Sequence, residues 1–337
     1  MANVQPILDG NRLALSRLIS EIENNSPKGQ EVLSDLFSHT GKAQLIGVTG
    51  APGTGKSSLV NQIAYHYRHP TDGSNPKTVA IVAVDPSSPF SGGAVLGDRI
   101  RMNSLSGDPG VFIRSMATRG SLGGLSKTTS GGVQAFDAAN YQIIIIETVG
   151  AGQDEVDIAR LAHTTLVIEA PGLGDDIQAI KAGIMEIADI LVVNKADRPG
   201  VENTERALRN NLQLAHPVKK NFQHHGQSME IESTKISNES IWVPPILRTV
   251  ATEGIGLPEL LEKIAEHREY LVDTGDIGLR ERARLTAEFD QRLEDLLLYN
   301  LLENLEDGVY ENVISDLLNR RLSPSLAAKS LIEKGAK

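Results

Sequence analysis

Gly50-Ala51-Pro52-Gly53-Thr54-Gly55-Lys56-Ser57 reads G-x-x-x-x-G-K-S, the spacing of a phosphate-binding loop. Before it, Ala43-Gln44-Leu45-Ile46-Gly47-Val48-Thr49 is short, apolar and partly β-branched, the pattern of a buried strand. After it, from Ser58 to Tyr67, Leu59, Val60, Ile63, Ala64 and Tyr67 recur at helical spacing. The motif therefore stands between a strand and a helix, where its chemistry requires it. Glycines let the backbone close around a phosphate, because no Cβ obstructs positive φ or close approach. Loop N–H groups and the helix N-terminus then face the anion. Lys56 brings a point charge to the β- and γ-phosphates, and Ser57 a hydroxyl for Mg²⁺. The expected nucleotide contacts here are Gly50, Ala51, Pro52, Gly53, Thr54, Gly55, Lys56, Ser57 and Ser58.

Composition narrows the class. The 337 residues suit one large α/β domain with helical additions, and 40% hydrophobic with 23% charged residues is ordinary for a globular chain. A net charge of −10 argues against nucleic-acid binding, which wants basic patches, but leaves room for a local anion cleft. The absence of cysteine excludes disulfides, thiolate metal sites and a cysteine nucleophile. No apolar run approaches the ~18 residues needed to span a bilayer. Met1-Ala2-Asn3-Val4-Gln5-Pro6 has neither a signal peptide's apolar core nor a transit peptide's arginines. The expectation is a cytoplasmic protein without a membrane partner.

Three segments are predicted. Residues 1–40 form an N-terminal helical extension: Ile7, Leu8, Leu13, Leu15, Leu18, Ile19 and Ile22 make one apolar face, Val32, Leu33, Leu36 and Phe37 a second, and Ser26-Pro27-Lys28-Gly29 breaks between them. It packs on the nucleotide domain or meets a partner. Residues 41–272 alternate strand and helix, with strands expected at Gln44–Thr49, Thr78–Val84, Val111–Arg114, Gln142–Thr148, Thr165–Glu169, Ile190–Asn194 and Pro245–Thr249. Runs such as Ile143-Ile144-Ile145-Ile146 imply strands buried on both faces, hence a mostly parallel central sheet covered by helices. Ligands then bind at the carboxyl ends of the strands. Within this segment 216–240 is polar and reads as a surface excursion, its His224-His225 pair being solvated or, less often, metal-binding. Residues 273–337 form a helical arm. Leu285, Phe289, Leu293, Leu296, Leu297, Leu301, Leu302 and Leu305 line its long helix, and these must bury on a second copy or on the chain's own domain.

Chemistry-bearing residues gather at predicted strand ends. Asp85 closes Val82-Ala83-Val84-Asp85 and opens a Gly/Ser/Pro-rich loop able to order around a γ-phosphate. Asp98 is a second candidate Mg²⁺ ligand, or else a helix cap or surface acid. Ile146-Glu147-Thr148-Val149-Gly150 is a strand ending in a carboxylate with glycine three residues on. Glu147 would hold Mg²⁺ or its water, and the Gly150 N–H would sense the γ-phosphate. Gln153 orients the attacking water or is a solvated loop glutamine. Val193-Asn194-Lys195-Ala196-Asp197 supplies N-K-x-D: Asp197 accepts from guanine N1–H and the 2-amino group, Lys195 lies along the base, and Asn194 braces loops. Adenine would leave that carboxylate unpaired, at a cost of about 1–3 kcal/mol or more. A last base contact is expected near Val250, Ala251 and Thr252. Together these predict a GTP-binding protein that hydrolyses GTP to GDP with Mg²⁺. Catalytic roles fall to Lys56, Asp85, Glu147 and Gln153, and metal ligation to Ser57, Asp85, Asp98 and Glu147. No arginine is evidently placed to act in cis, so slow intrinsic turnover is expected.

Long stretches then resemble the MeaB/ArgK-type G proteins: residues 85–102, Phe112-Ile113-Arg114-Ser115-Met116-Ala117-Thr118-Arg119-Gly120, Glu147-Thr148-Val149-Gly150-Ala151-Gly152-Gln153, and 172–183. The likeness runs through nearly the whole chain. It implies a P-loop GTPase fold of the SIMIBI class and a homodimer through the C-terminal helices. It also implies a chaperone that gates adenosylcobalamin loading and protects methylmalonyl-CoA mutase or a related acyl-CoA mutase. By resemblance alone, Gln178 and Lys181 belong to a third switch coupling nucleotide state to the mutase. Glu169-Ala170-Pro171 and the 216–240 segment depart from the family pattern. The competing readings are a kinase acting on a periplasmic amino-acid transport protein and a metal-centre insertion GTPase. No protein-substrate base is evident for the first, and for the second, which usually brings Cys/His ligands, the chain has no cysteine and only the polar-loop pair His224-His225.

Overall fold

The computed structural model describes residues 4–86, 105, 107–118, 127–148, 154–172, 186–215 and 241–335. Seven strands form one sheet in the order β3-β2-β4-β1-β5-β6-β7, every neighbouring pair parallel. They are β1 (Gln44–Thr49), β2 (Val79–Pro86), β3 (Val111–Thr118), β4 (Ile143–Thr148), β5 (Thr164–Glu169), β6 (Ile190–Asn194) and β7 (Ile246–Thr249). Parallel neighbours need crossovers, and helices supply them. The helices described are α1 (Gln5–Leu8), α2 (Arg12–Glu23), α3 (Pro27–Leu36), α4 (Lys56–Arg68), α5 (Lys127–Ala138), α6 (Asp154–Leu161), α7 (Val201–Ala215), α8 (Leu257–Asp273), α9 (Asp276–Glu303), α10 (Val309–Leu318) and α11 (Pro324–Gly335). This is the helix-covered parallel sheet of a P-loop NTPase.

The apolar runs divide by parity. Ile144 and Ile146 of β4, with Leu45, Val82 and Val84, face a core closed by α2, α3, α5 and α6. Ile143 and Ile145, with Ile46, Val48 and Ile81, face the other core beneath α4 and α8. Strand side chains alternate faces, so a run without polar breaks can only sit between two helical layers. A smaller cluster of Val167, Leu191 and Val193 packs under Leu208 and Leu212 of α7.

Residues 4–40 cover one face of the sheet. Leu15, Leu18, Ile19 and Ile22 of α2, with Val32, Leu33 and Leu36 of α3, share the α5 core. Asn11 caps α2 through the amides of Leu13 and Ala14, and Ser26 caps α3 through Gly29 with Pro27 in the first turn. The expected break at Ser26–Gly29 is thus the start of a helix. Leu13 and Phe37, assigned to apolar faces from their spacing, are instead exposed. β3 runs past Arg114 to Thr118 because β2 pairs with it along its whole length, to Asp85–Ala117 and Pro86–Thr118.

Two polar ties fix the sheet ends. Asp137, nearly buried at the end of α5, accepts from the amides of Gly41 (2.6 Å), Lys42 (3.1 Å) and Ala43 (3.0 Å), locking the entry to β1. Arg68, at the end of α4, forks onto Asp108 at 2.8 and 2.9 Å. The Arg68 guanidinium, followed by the Gly110 amide, holds the Asp108 carboxyl below its ordinary value.

Clustered by contacts, the chain forms two compact units, Met1–Ile277 and Gly278–Lys337. In the second, Val313 and Ala327 are buried, while α9 buries no residue. Among the described residues no helix is long and apolar enough to cross a membrane.

Asp137→Ala removes both acceptor oxygens, and with them three hydrogen bonds, and strands the buried Ala43 amide. It is expected to lower stability by about 1–3 kcal/mol in urea unfolding. Asp137→Asn keeps one acceptor oxygen and loses less. Equal stability of Asp137→Ala and the parent chain would contradict this tie.

Candidate functional site

The site grows from the end of β1. Gly50 has φ +141°, and a Cβ there would lie 2.1 Å from the Ile168 carbonyl oxygen of β5. Only glycine lets the chain leave the sheet at this point. Gly55 has φ +92° and stands directly before α4, where a Cβ would meet Asn194 Nδ2 at 2.5 Å. Between them Thr54, fully buried, donates its hydroxyl to Ala51 O at 2.9 Å. The result is a tight backbone cradle whose open side meets the N-terminus of α4. That is the geometry that receives a phosphate without side-chain obstruction.

Lys56 is the first residue of α4 and is 7% exposed. Its Nζ donates to Gly50 O (2.7 Å) and Ala51 O (3.0 Å), so the ammonium lies across the loop. Ser57 follows, and its hydroxyl donates to Glu147 Oε1 at 2.6 Å. Glu147 is 1% exposed, near the end of β4, which pairs directly with β1 through Val48–Glu147. A hydroxyl and a buried carboxylate thus converge beside the phosphate cradle. Both are hard oxygen donors, the chemistry that Mg²⁺ takes from protein when phosphates and water complete its shell. Among the described residues no group of three His, Cys, Asp or Glu could hold a metal by itself. Asp85 lies on β2 two positions beyond Ala83, the residue paired with Glu147, so its backbone is at the same sheet end. Its side chain, together with Asp98, Gly150, Gln153, Gln178, Lys181 and the 216–240 segment with His224 and His225, lies outside the described residues.

The N-K-x-D segment closes the other side. Asn194, buried at the end of β6, donates from Nδ2 to Thr54 O at 2.8 Å. Its Oδ1 accepts from Thr249 Oγ1 and from the Ala251 amide, each at 3.1 Å. One side chain therefore ties the phosphate loop to the segment after β7. Lys195 adopts a left-handed φ of +57° and donates from Nζ to Gly53 O at 2.5 Å. The Ala196 amide donates to Thr249 O (3.0 Å), which fixes the turn that presents Asp197. Asp197 is exposed, with its carboxylate available to a base. Of the last expected contacts, Val250 and Ala251 are buried and Thr252 is exposed. The Ala251 amide is engaged by Asn194, so it braces the loop rather than facing outward.

One pair escaped the sequence reading. Thr148 Oγ1 donates to Thr49 Oγ1 at 3.0 Å beneath the loop, joining the ends of β4 and β1 in the core. The available signal was a threonine closing each of two apolar runs.

Known proteins share this geometry and sequence. The family model described as methylmalonyl-CoA mutase-associated GTPase MeaB matches residues 15–306. A Pyrococcus horikoshii chain described as a candidate GTPase is 42% identical over 331 residues, covering 98% of this chain and 96% of that one. The Escherichia coli GTPase ArgK is 30% identical over 336 residues, with 98% and 95% covered. A crystal structure of an LAO/AO transport system kinase superposes with a TM-score of 0.65 at 25% identity, covering 98% and 95% of the two chains. With a phosphate cradle, a Ser57–Glu147 pair and an N-K-x-D clamp at one end of the sheet, and a family match across most of its length, the chain belongs to the MeaB family of methylmalonyl-CoA mutase-associated GTPases.

Proposed function

We propose that this GTPase is a chaperone whose nucleotide state gates adenosylcobalamin loading into methylmalonyl-CoA mutase or a related acyl-CoA mutase, and protects that enzyme. The nucleotide half of this reading rests on the Asn194 bridge between the phosphate loop and the segment after β7. Through it, base recognition and phosphate binding share one rigid frame. The family's description names the mutase association.

In this reading GTP lies with its phosphates in the Gly50–Gly55 cradle and Lys56 on the β- and γ-phosphates. Asp197 takes the guanine N1–H and 2-amino donors, Lys195 lies along the base, and Val250, Ala251 and Thr252 border it. Mg²⁺, held through Ser57, Asp85, Asp98 and Glu147, would neutralise charge developing on the phosphates. Gly150 and Gln153 address the γ-phosphate and the attacking water. Gln178 and Lys181 carry the state to the mutase. Residues 1–40 and 41–272 then make the GTPase body and 273–337 a dimerisation arm.

The competing kinase reading draws its support from the likeness to the LAO/AO transport system kinase. The two readings separate on the fate of the γ-phosphate, which is released to water in one and carried by a protein in the other.

Asp197→Ala should bind GDP about 5- to 150-fold more weakly, from about 1–3 kcal/mol of lost hydrogen bonding. The parent chain should load cofactor into an apo cobalamin mutase at a rate set by GTP against GDP, and the variant should not respond. Nucleotide-indifferent loading, or GDP affinity untouched by the substitution, would overturn the proposal.

The arm generates a second expectation. Leu296 and Leu297 are 59% and 60% exposed, and Phe289 and Tyr299 stand out with them on a helix with no buried residue in the described structure. A face of this kind is covered in a stable protein, and a second copy supplies a matching surface. Sedimentation should show a dimer that Leu296→Glu with Leu297→Glu converts to a monomer retaining GDP binding. An unchanged mass would exclude this face.

A further inference from the structure

At the amino ends of the strands, opposite the phosphate loop, lies a cavity of about 490 Å³. It opens where β1 and β4 begin, against one side of α8. One wall is apolar: Ile143 with Leu261, Ala265 and Val272, which repeat along a single stripe of α8. Lys42, Lys77 and Arg268 also line it, against the two carboxylates of Glu269 and Asp273. Among the described residues none of these three cations is ion-paired.

The polar groups are arranged around Arg268. Its Nη1 donates to Gln44 Oε1 at 3.2 Å. That contact fixes the amide orientation, and Gln44 Nε2, on a side chain only 3% exposed, is left without a hydrogen-bond partner. A buried amide donor lacking an acceptor is rare in a folded chain and signals a missing partner. Lys77 Nζ sits 5.4 Å above the Tyr67 ring. Burial raises the Tyr67 hydroxyl well above the ordinary tyrosine value, so it stays a neutral donor beside Arg268. Every uncommitted polar group here other than the two acids is a donor, and the facing wall is aliphatic.

We propose that this cavity binds a small organic anion, its carboxylate or phosphate head held by Arg268, Lys77 and the Gln44 amide and its apolar body against Ile143 and the α8 stripe. Guanidinium and amide donors suit such oxyanions in two-point contact. The site is separate from the nucleotide: β1 runs from Gln44 at the cavity to Thr49 below the phosphate loop, roughly 17 Å of strand.

The test uses the full chain saturated with Mg²⁺ and GDP, so that the phosphate loop is filled. Hexanoate, hexyl phosphate and hexylammonium are titrated by calorimetry and by ligand-observed NMR. At least one anion should bind saturably and hexylammonium should not, and whichever anion binds more tightly identifies the head group. Arg268→Gln should weaken the anion about tenfold or more, and Lys77→Gln several-fold. GDP affinity in both variants should match the parent, which controls for folding. No saturable binding of either anion, equal binding of hexylammonium, or unchanged affinity in both variants would overturn the proposal.

Discussion

Gly50 is the hinge on which the site turns. β1 runs down the middle of a sheet buried on both faces, and at its end the chain must leave that sheet against the Ile168 carbonyl of β5. Any side chain there collides with backbone, which cannot give way as a flexible side-chain tip can. Because the turn is made there, α4 begins at Lys56, and Ser57 arrives beside Glu147 on the neighbouring strand. The phosphate cradle, the lysine and the hydroxyl–carboxylate pair therefore follow from one steric constraint at the centre of the fold.

The second organising element is the side chain of Asn194. It spends its whole amide on three partners from two other segments, Thr54 of the loop and Thr249 and Ala251 after β7. Lys195 adds a contact to Gly53 from the same turn. In the proposed reading, base recognition and phosphate binding are both tied to this single buried amide, and a shift at either end leaves a buried polar group unsatisfied.

Much of this was legible because it is local. The eight residues Gly50–Ser57 specify their own turn, and Ile143-Ile144-Ile145-Ile146 can only be a strand covered on both sides. All seven strands were expected within a few residues, β3 least well. Its second half, Ser115-Met116-Ala117-Thr118, has no strand pattern of its own and is strand because β2 pairs with it. What stayed hidden depends on contacts between distant segments. The helices before residue 40 carry two apolar faces, but only packing shows that they close one whole layer with α5. Thr49 and Thr148 meet across the β1–β4 pairing, and Arg268 reaches Gln44 across more than half the chain. Leu13 and Phe37 kept helical spacing yet face outward, because periodicity marks a stripe without fixing its edges.

Ser57 and Glu147 stand together at the phosphate cradle, and the proposed function has them hold Mg²⁺ as one pair. The most direct test is single-turnover GTP hydrolysis by the parent chain and Glu147→Gln across a Mg²⁺ titration. The carboxamide keeps the shape and loses the charge. Turnover should fall by roughly 10²-fold, and the Mg²⁺ concentration for half-maximal rate should rise, with GDP affinity changed only a few-fold. Parent-like turnover with an unshifted Mg²⁺ dependence would contradict the pairing.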